Sequence, residues 1–191
     1  MHNHSVDVID TERLRLRPYV DDDAPRVLDI HRRLDVIRWL GNPPYVPMST
    51  LDEARAWIAG KHSNAQADPY TRAYAIEVRA TGIVAGTAQI SRASLIGQDW
   101  AGEYEVGWHL HPDSTGHGYA TEAAAAVLEG AFARGLDQVW CGMFPDNQAS
   151  ARVALKLGLH ELGYGPDPWY GGIGRLFEAD RRWWLERQSR A

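Results

Sequence analysis

The sequence has little cysteine, no apolar run long enough to span a membrane and no excess of basic residues. Cys141 is the single cysteine among 191 residues, which excludes an intramolecular disulfide and a cysteine-built zinc site. Its neighbours Trp140 and Gly142 predict a buried thiol in a strand. Residues 1–7 have neither the basic region nor the apolar region of a signal peptide. We therefore expect a soluble, cytoplasmic protein that does not bind a membrane.

The charge of the chain is acidic and unevenly distributed. The net charge of −5 comes from 20 basic and 25 acidic residues, and residues 99–137 contribute seven of the acids but a single base. The chain therefore lacks the basic patch by which proteins bind nucleic-acid phosphates, and we expect no nucleic-acid partner. Any ligand that binds along residues 99–137 has to be reconciled with this negative charge.

Apolar periodicity predicts a mixed α/β chain with one domain, residues 1–191, and a flexible N-terminus at residues 1–10. The order of the elements predicts a mixed sheet with helices on both faces. Strands are predicted at 13–17, 73–78, 83–90, 103–111, 138–143, 160–164 and 175–178, and helices at 21–34, 51–61, 120–132, 147–157 and 180–187.

A Gly-x-Gly turn, Gly116 to Gly118, joins the 103–111 strand to the alanine-rich helix at 120–132. At such a turn, unpaired backbone N–H groups and the positive end of the helix dipole can bind a phosphate without basic side chains. Glycine is needed there because a side chain would block close approach of the anion or disfavour a positive φ. Taken alone, the pattern is equally typical of a plain tight turn.

A second polar cluster opens the 147–157 helix. Asn147 is a natural N-cap residue, an interpretation that needs no ligand. Ser150 falls on the inward stripe of the helix with Val153, Ala154 and Leu157. A hydroxyl on that stripe needs a hydrogen-bond partner, either the helix backbone or a ligand.

Four segments together resemble the GNAT superfamily of acetyl-coenzyme A dependent N-acetyltransferases, and most closely its branch that acetylates the N-termini of ribosomal proteins. The segments are TERLRLR at 11–17, YEVGWHLHP at 104–112, GHGYATEA at 116–123, and the run from NQAS to KLG at 147–158. The resemblance implies a mostly antiparallel sheet of six or seven strands with a central V-shaped splay. The sequence departs from the family at Asp113, where Gln or Arg is usual, and an acid there is unfavourable beside a pyrophosphate unless it points away.

The resemblance also implies acetyl-coenzyme A as cosubstrate. The 103–111 strand would splay from the 138–143 strand, and a backbone N–H in that slot would meet the thioester carbonyl. Arg152 would add positive charge. The pyrophosphate would be held by the amides of Gly116, His117, Gly118, Tyr119 and Ala120, and the pantetheine arm by Asn147 and by the strand edge at Trp108, His109 and Leu110.

Acyl transfer to an amine needs a base for the amine and a proton for the departing thiolate. Glu105 is the first candidate base and Glu103 the second, because strand alternation would place both on one face. Two solvated strand carboxylates are the competing interpretation. The family pattern favours Ser150 as the acid, with Tyr119 and Tyr164 as alternatives.

Three histidines lie close together in the sequence, at His109, His111 and His117. They could form a metal site, but no matching carboxylate or cysteine accompanies them, so we expect no metal. His109 would share a strand face with Glu105 and is an alternative base, because an imidazole titrates near neutrality.

The sequence does not identify the acceptor amine, which could be a peptide N-terminus or a small molecule. Acidic residues Asp99, Glu103 and Glu105 would face the acceptor and attract a cationic amine. The acceptor side would be built by loops at 41–47, 94–102 and 163–174, with aromatic residues Trp39, Tyr45, Trp100, Trp169 and Tyr170 that could also pack in a homodimer. The competing functions are a non-catalytic acyl-coenzyme A binding or sensing module and a different phosphate-binding protein.

Overall fold

The computed structural model describes residues 8–93, 102–167 and 170–188. Its strands are β1 Ile9–Asp10, β2 Leu14–Arg17, β3 Arg72–Val78, β4 Val84–Arg92, β5 Tyr104–Leu110, β6 Gln138–Met143, β7 His160–Pro166 and β8 Ile173–Asp180. They form one mixed sheet in the order β1-β2-β3-β4-β5-β6-β8-β7. The sheet has eight strands instead of six or seven, because Ile9 and Asp10, expected in a flexible N-terminus, pair with Leu16 and Arg15.

The described residues form six helices: α1 Ala24–His31, α2 Leu34–Ile37, α3 Leu51–Ala67, α4 Tyr119–Ala133, α5 Gln148–Leu157 and α6 Arg181–Gln188. The prediction of a single helix at 21–34 was wrong. Asp21–Asp23 form a 3-10 turn, and extended backbone at Arg33 separates α1 from α2, so Leu34 is 56% exposed instead of buried. In the described part of the chain, no helix is long and apolar enough to cross a membrane.

The core lies on both faces of the sheet. The alanine-rich helix α4 is buried along the predicted stripe, where Ala123, Val127 and Leu128 pack against residues of β2 to β6. Helices α1 and α3 cover the opposite face with a smaller cluster that includes Val27 and Ile58. The predicted helices on both faces are confirmed, because each face of the sheet is apolar and has to be covered.

The central strands β5 and β6 run parallel and separate almost at once. Seven residue pairs join β5 to β4, but the single pair Glu105 with Trp140 joins β5 to β6. Beyond Glu105 the two strands diverge, so the β6-facing edge of residues 106–110 has no strand partner among the described residues. This is the predicted V-shaped splay, and it opens a slot in the middle of the sheet.

Candidate active site

Two cavities of about 320 and 610 Å³ open where β5 and β6 diverge. The smaller, which we call the inner cavity, lies between α3, the faces of β4 and β5, and the loop before β8. The larger, the outer groove, runs from the end of β5 past the glycine turn to α5. The two share lining residues, among them Trp108, His109, Asn147 and Ser150. A molecule lying in the outer groove would therefore end at the wall of the inner cavity.

The glycine turn forms one wall of the outer groove. Gly116 and Gly118 have φ values of +81° and +82°, a left-handed conformation that favours glycine, and Gly118 is the N-cap residue of α4. The backbone N–H groups of residues 116–121 have no acceptor among the described residues. These unpaired amides lie at the positive end of the α4 dipole, an arrangement that can bind an anion.

Most residues predicted to bind coenzyme A line this groove. Those that do are Trp108, His109, Leu110, Gly116, Gly118, Tyr119, Ala120, Asn147 and Arg152. His117 is the exception, and its ring stacks on Tyr119 while its carbonyl accepts a hydrogen bond from Arg13 Nη1 at 2.8 Å. His117 does not line the groove.

Two acids near the glycine turn are held away from the groove by arginines. Asp113 Oδ1 accepts a hydrogen bond from Arg26 Nη2 at 2.8 Å, and this contact holds the pKa of the carboxyl well below its usual range. Glu122 accepts hydrogen bonds from the Arg13 backbone N–H at 2.9 Å and from Arg13 Nε at 2.7 Å. Neither acid lines the outer groove. Asp113 therefore does not place its negative charge where a pyrophosphate would bind.

The start of α5 supplies polar groups to both cavities. Asn147 is buried, and its Oδ1 accepts a hydrogen bond from the Ser150 backbone N–H at 3.1 Å, the N-cap contact that the sequence predicted. Arg152 and Lys156 are the basic residues among those described that line the outer groove, and the acid Asp35 also lines it. The groove therefore combines backbone amides with two cationic side chains.

Glu105 is the central acid of the inner cavity. Its Oε1 accepts hydrogen bonds from Tyr170 Oη at 2.7 Å and from Ser91 Oγ at 3.3 Å. Burial raises its pKa above the ordinary value, although these two hydrogen bonds oppose the shift. Glu103 differs, because it precedes the first residue of β5 and is not among the residues that line either cavity.

His109 is a neutral residue with a defined tautomer. Tyr19 Oη donates its single proton to the Gly86 carbonyl at 3.0 Å, so Thr87 Oγ1 donates to Tyr19 Oη at 2.7 Å. This leaves His109 Nε2 as the donor to Thr87 Oγ1 at 3.0 Å. Burial lowers the pKa of His109 well below its ordinary value. The ring is therefore neutral, with its proton on Nε2 and a lone pair on Nδ1.

Sequence reasoning missed Lys61, which also lines the inner cavity. Lys61 Nζ donates a hydrogen bond to Gln89 Oε1 at 2.8 Å, and burial lowers its pKa to about 8. The predicted second helix ended at this residue, whereas α3 continues to Ala67. Its spacing from Trp57 and Ile58, at i+4 and i+3, places it on the apolar face of the helix, and that position was the available signal.

The remaining predicted residues are divided between the site and the surface. Trp39 lines both cavities and Tyr170 lines the inner one, but Tyr164 is 59% exposed and lines neither. Tyr45 lines neither cavity. Asp99, Trp100 and Trp169 lie outside the described residues.

The histidine cluster is engaged in protein contacts. His111 is buried, and its Nε2 lies 3.0 Å from Asp29 Oδ2 and its Nδ1 2.7 Å from Asp113 Oδ1. Among residues 8–93, 102–167 and 170–188, no group of three His, Cys, Asp or Glu residues could hold a metal ion. Cys141 is 3% exposed, as predicted, and burial raises its pKa.

Comparison with known proteins identifies the family. Residues 13–160 match the sequence model of the acetyltransferase (GNAT) domain. Because this match spans most of the chain, the protein belongs to the GNAT family of acetyltransferases. The predicted resemblance rested on four sequence segments, and the last three of them, at 104–112, 116–123 and 147–158, form β5, the glycine turn with the start of α4, and α5.

Individual relatives match this chain at low sequence identity. The uncharacterized N-acetyltransferase YoaA of Bacillus subtilis is 28% identical over 163 residues, covering 82% of this chain and 84% of the relative. The uncharacterized N-acetyltransferase YnaD of the same organism is 27% identical, covering 93% of this chain and 92% of the relative.

Solved structures share the fold at low identity. RimL, a ribosomal L7/L12 α-N-protein acetyltransferase in complex with coenzyme A, has a TM-score of 0.73 at 19% identity, covering 91% of this chain and 98% of that one. The ribosomal-protein-S5-alanine acetyltransferase of Vibrio fischeri has a TM-score of 0.73 at 16% identity, covering 94% of this chain and 99% of that one. The predicted structural likeness to ribosomal-protein N-acetyltransferases is thus confirmed at the level of the fold.

Proposed function

We propose that this protein transfers the acetyl group of acetyl-coenzyme A to a primary amine by direct attack in a ternary complex. The observation that carries the proposal is the meeting of the outer groove and the inner cavity at the splay of β5 and β6, where they share lining residues. A donor in the groove and an acceptor in the cavity would meet there. The coenzyme A in the RimL structure supports the assignment of the donor to a groove of this fold.

The lining of the outer groove fits coenzyme A. The free amides of residues 116–121 would bind the pyrophosphate, with Arg152 and Lys156 adding positive charge. The amide group of Asn147 and the open edge of β5 at Trp108 to Leu110 would hold the pantetheine arm. When bound, the cosubstrate supplies an acetyl group already activated as a thioester.

Glu105 would accept the proton of the acceptor ammonium, directly or through a water. Its raised pKa brings it closer to neutrality than an ordinary glutamate, and Tyr170 holds one carboxylate oxygen in place and leaves the other for the amine. The lone pair on His109 Nδ1 would accept a hydrogen bond from the same amine. Ser150, which lines both cavities, would give a proton to the thiolate that leaves.

The test of this function is thiol release from acetyl-coenzyme A across a panel of small amines and peptides with free N-termini, combined with thermal unfolding in coenzyme A. A ligand at one hundred times its Kd stabilises a protein by about 2.7 kcal/mol. Stabilisation without thiol release from any acceptor would favour the non-catalytic binding module. No stabilisation by coenzyme A or acetyl-coenzyme A would favour a different phosphate ligand.

Replacing Ser150 with alanine is expected to lower kcat at least tenfold and to leave the Kd of coenzyme A nearly unchanged, because the hydroxyl would act on the leaving thiolate and not in binding. Steady-state thiol release and calorimetric titration measure the two quantities. Ser63→Ala, at an exposed position of α3, is the matched control. An unchanged kcat in Ser150→Ala would remove Ser150 from the mechanism.

A further inference from the structure

Lys61 has no part in the proposed acetyl transfer, although it lines the inner cavity. It is one of two lysines in a chain with eighteen arginines. Its Nζ lies 4.8 Å from the centroid of the Trp57 ring and donates to Gln89 Oε1 at 2.8 Å. An ammonium group has three donors, so two of them have no acceptor among the described residues.

Lys61 also has no close carboxylate partner in the described part of the chain. It takes part in none of the ion pairs formed by the described residues within an N–O distance of 4.0 Å. Glu105 attracts it from beyond that distance, and the Glu105 Oε1 atom accepts hydrogen bonds from Tyr170 and Ser91. Asp167, the other acid of the cavity, accepts a hydrogen bond from the Tyr170 backbone N–H.

The other basic groups of the inner cavity carry no charge. Burial lowers the pKa of His31 and of His109, and each is neutral at physiological pH. Lys61, with a pKa of about 8, remains mostly protonated there. Among the described residues that line the inner cavity, Lys61 therefore supplies the positive charge.

Contacts along β4 place this charge and the proposed base side by side. Ser91 contacts Glu105, and Gln89 contacts Lys61. The Cα atoms of Ser91 and Gln89 lie about 7 Å apart with both side chains on the same face, and Gln89 Nε2 donates to Ser91 Oγ at 3.5 Å. One small acceptor could therefore reach the Glu105 carboxylate with its amine and the Lys61 ammonium with another group.

We propose that the acceptor carries an anionic group, such as a carboxylate, a few bonds from the amine that is acetylated, and that Lys61 binds this group. The inference rests on the proposed acetyl transfer and names the class of its acceptor. A half-buried ammonium that has one hydrogen-bond acceptor, and no carboxylate within 4.0 Å among the described residues, is incompletely compensated, and a bound anion would offset that cost. The same ammonium would repel a second positive charge, so simple diamines would be poor acceptors. A free amino acid and a peptide with an early acidic residue share the required chemistry.

Matched acceptors that differ only in the anionic group provide the test. The first pair is γ-aminobutyrate and n-butylamine, and the second is a peptide beginning Ala-Glu and the same peptide beginning Ala-Gln. We expect kcat/KM of the wild-type protein to be at least tenfold higher for the anionic member of at least one pair. The pair that shows the preference distinguishes a free amino acid from a peptide as the source of the anion.

Substitutions at Lys61 assign that preference to the ammonium group. Lys61→Met, which keeps the length and apolar stem of the side chain, should raise KM for the anionic acceptor at least tenfold with little change in kcat. The kcat/KM for the neutral acceptor should stay at the wild-type value. Lys61→Arg keeps the positive charge and should keep part of the preference for the anionic acceptor. The Arg variant also provides the test if Lys61→Met does not fold. Arg55→Met, on an exposed side of α3, is the control for loss of a cation.

The possible results separate the two proposals. Thiol release with neutral and anionic acceptors at equal kcat/KM would overturn the role of Lys61 and leave the acetyltransferase function standing. Equal losses for both acceptors in Lys61→Met and Lys61→Arg would also overturn it, because they would indicate a structural lysine. Background thiol release with every acceptor would overturn the proposed function, and this inference with it.

Discussion

Replacing Glu105 with glutamine is expected to lower kcat at least hundredfold and to leave coenzyme A binding unchanged. General acid–base catalysis by a positioned side chain contributes about a hundredfold to ten-thousandfold. Glutamine keeps the shape of the side chain and can still bond to Tyr170 Oη, which lies 2.7 Å from Glu105 Oε1. It cannot take a proton from the acceptor ammonium, so the loss should appear in kcat and not in the Kd of coenzyme A.

The pH dependence of the same variant separates a catalytic carboxylate from a structural one. Burial raises the pKa of Glu105, so the acid limb of the wild-type rate profile should lie above the ordinary glutamate range. The acid limb should be absent from the rate profile of the Glu105→Gln variant. A raised pKa favours the folded state below the unfolded pKa, and this contribution is lost as the pH rises through the folded pKa. At neutral pH the Gln variant should therefore be at least as stable as the wild type, although it is far less active.

Two further variants keep this prediction testable. Glu129→Gln, at an exposed position of α4, controls for the loss of one negative charge and should keep full activity. Glu103→Gln tests the carboxylate that the sequence analysis ranked second to Glu105. A large loss of kcat in Glu103→Gln with a small one in Glu105→Gln would mean that the base has been assigned to the wrong residue.

The parts of the fold that local patterns determine could be predicted from the sequence. Helix α4 follows from a stripe of alanine, valine and leucine at i, i+3 and i+4, and the turn before it follows from Gly116 and Gly118. The N-cap at Asn147 is equally local. Each of these features depends on residues within one or two turns of chain, so neighbouring residue types are enough to indicate them.

The parts of the site that depend on distant contacts could not be predicted. The phenol of Tyr170 reaches Glu105 across 65 positions, and Lys61 reaches Gln89 across 28. No pattern in the sequence indicates which tyrosine of the chain lies against the Glu105 carboxylate. Glu103 and Glu105 were equivalent by alternation, and only the position at which β5 begins and the cavity opens distinguishes them.

Contacts between distant residues also explain how a phosphate site can lie within the acidic stretch at residues 99–137. Asp113 is paired with Arg26 and Glu122 with Arg13, so two acids near the proposed phosphate turn are neutralised by arginines from the start of the chain. These pairs join residues that are 87 and 109 positions apart. Counting the charges within residues 99–137 could therefore not predict them. Among the described residues, the charged side chains that line the outer groove are thus Arg152, Lys156 and Asp35, and none of the acids of residues 99–137 lines it.

Replacing Gly116 with alanine is expected to weaken coenzyme A binding at least tenfold. Gly116 has φ of +81° and lines the outer groove, and a Cβ built there meets no protein atom within 4 Å. The added methyl group would therefore project into space that the pyrophosphate is proposed to occupy. Calorimetric titration of coenzyme A, or its stabilisation of thermal unfolding, measures the loss.

Gly82 provides a matched control for the backbone effect of that substitution. Its φ is +70°, and a Cβ there also meets nothing within 4 Å, but the residue lies in the turn between β3 and β4, outside both cavities. Alanine at a positive φ costs about 1 to 2 kcal/mol in either place, so both variants should unfold at similarly lowered temperatures. Only Gly116→Ala should lose affinity for coenzyme A. If both variants bound it as tightly as the wild type, the glycine turn would not be the phosphate site.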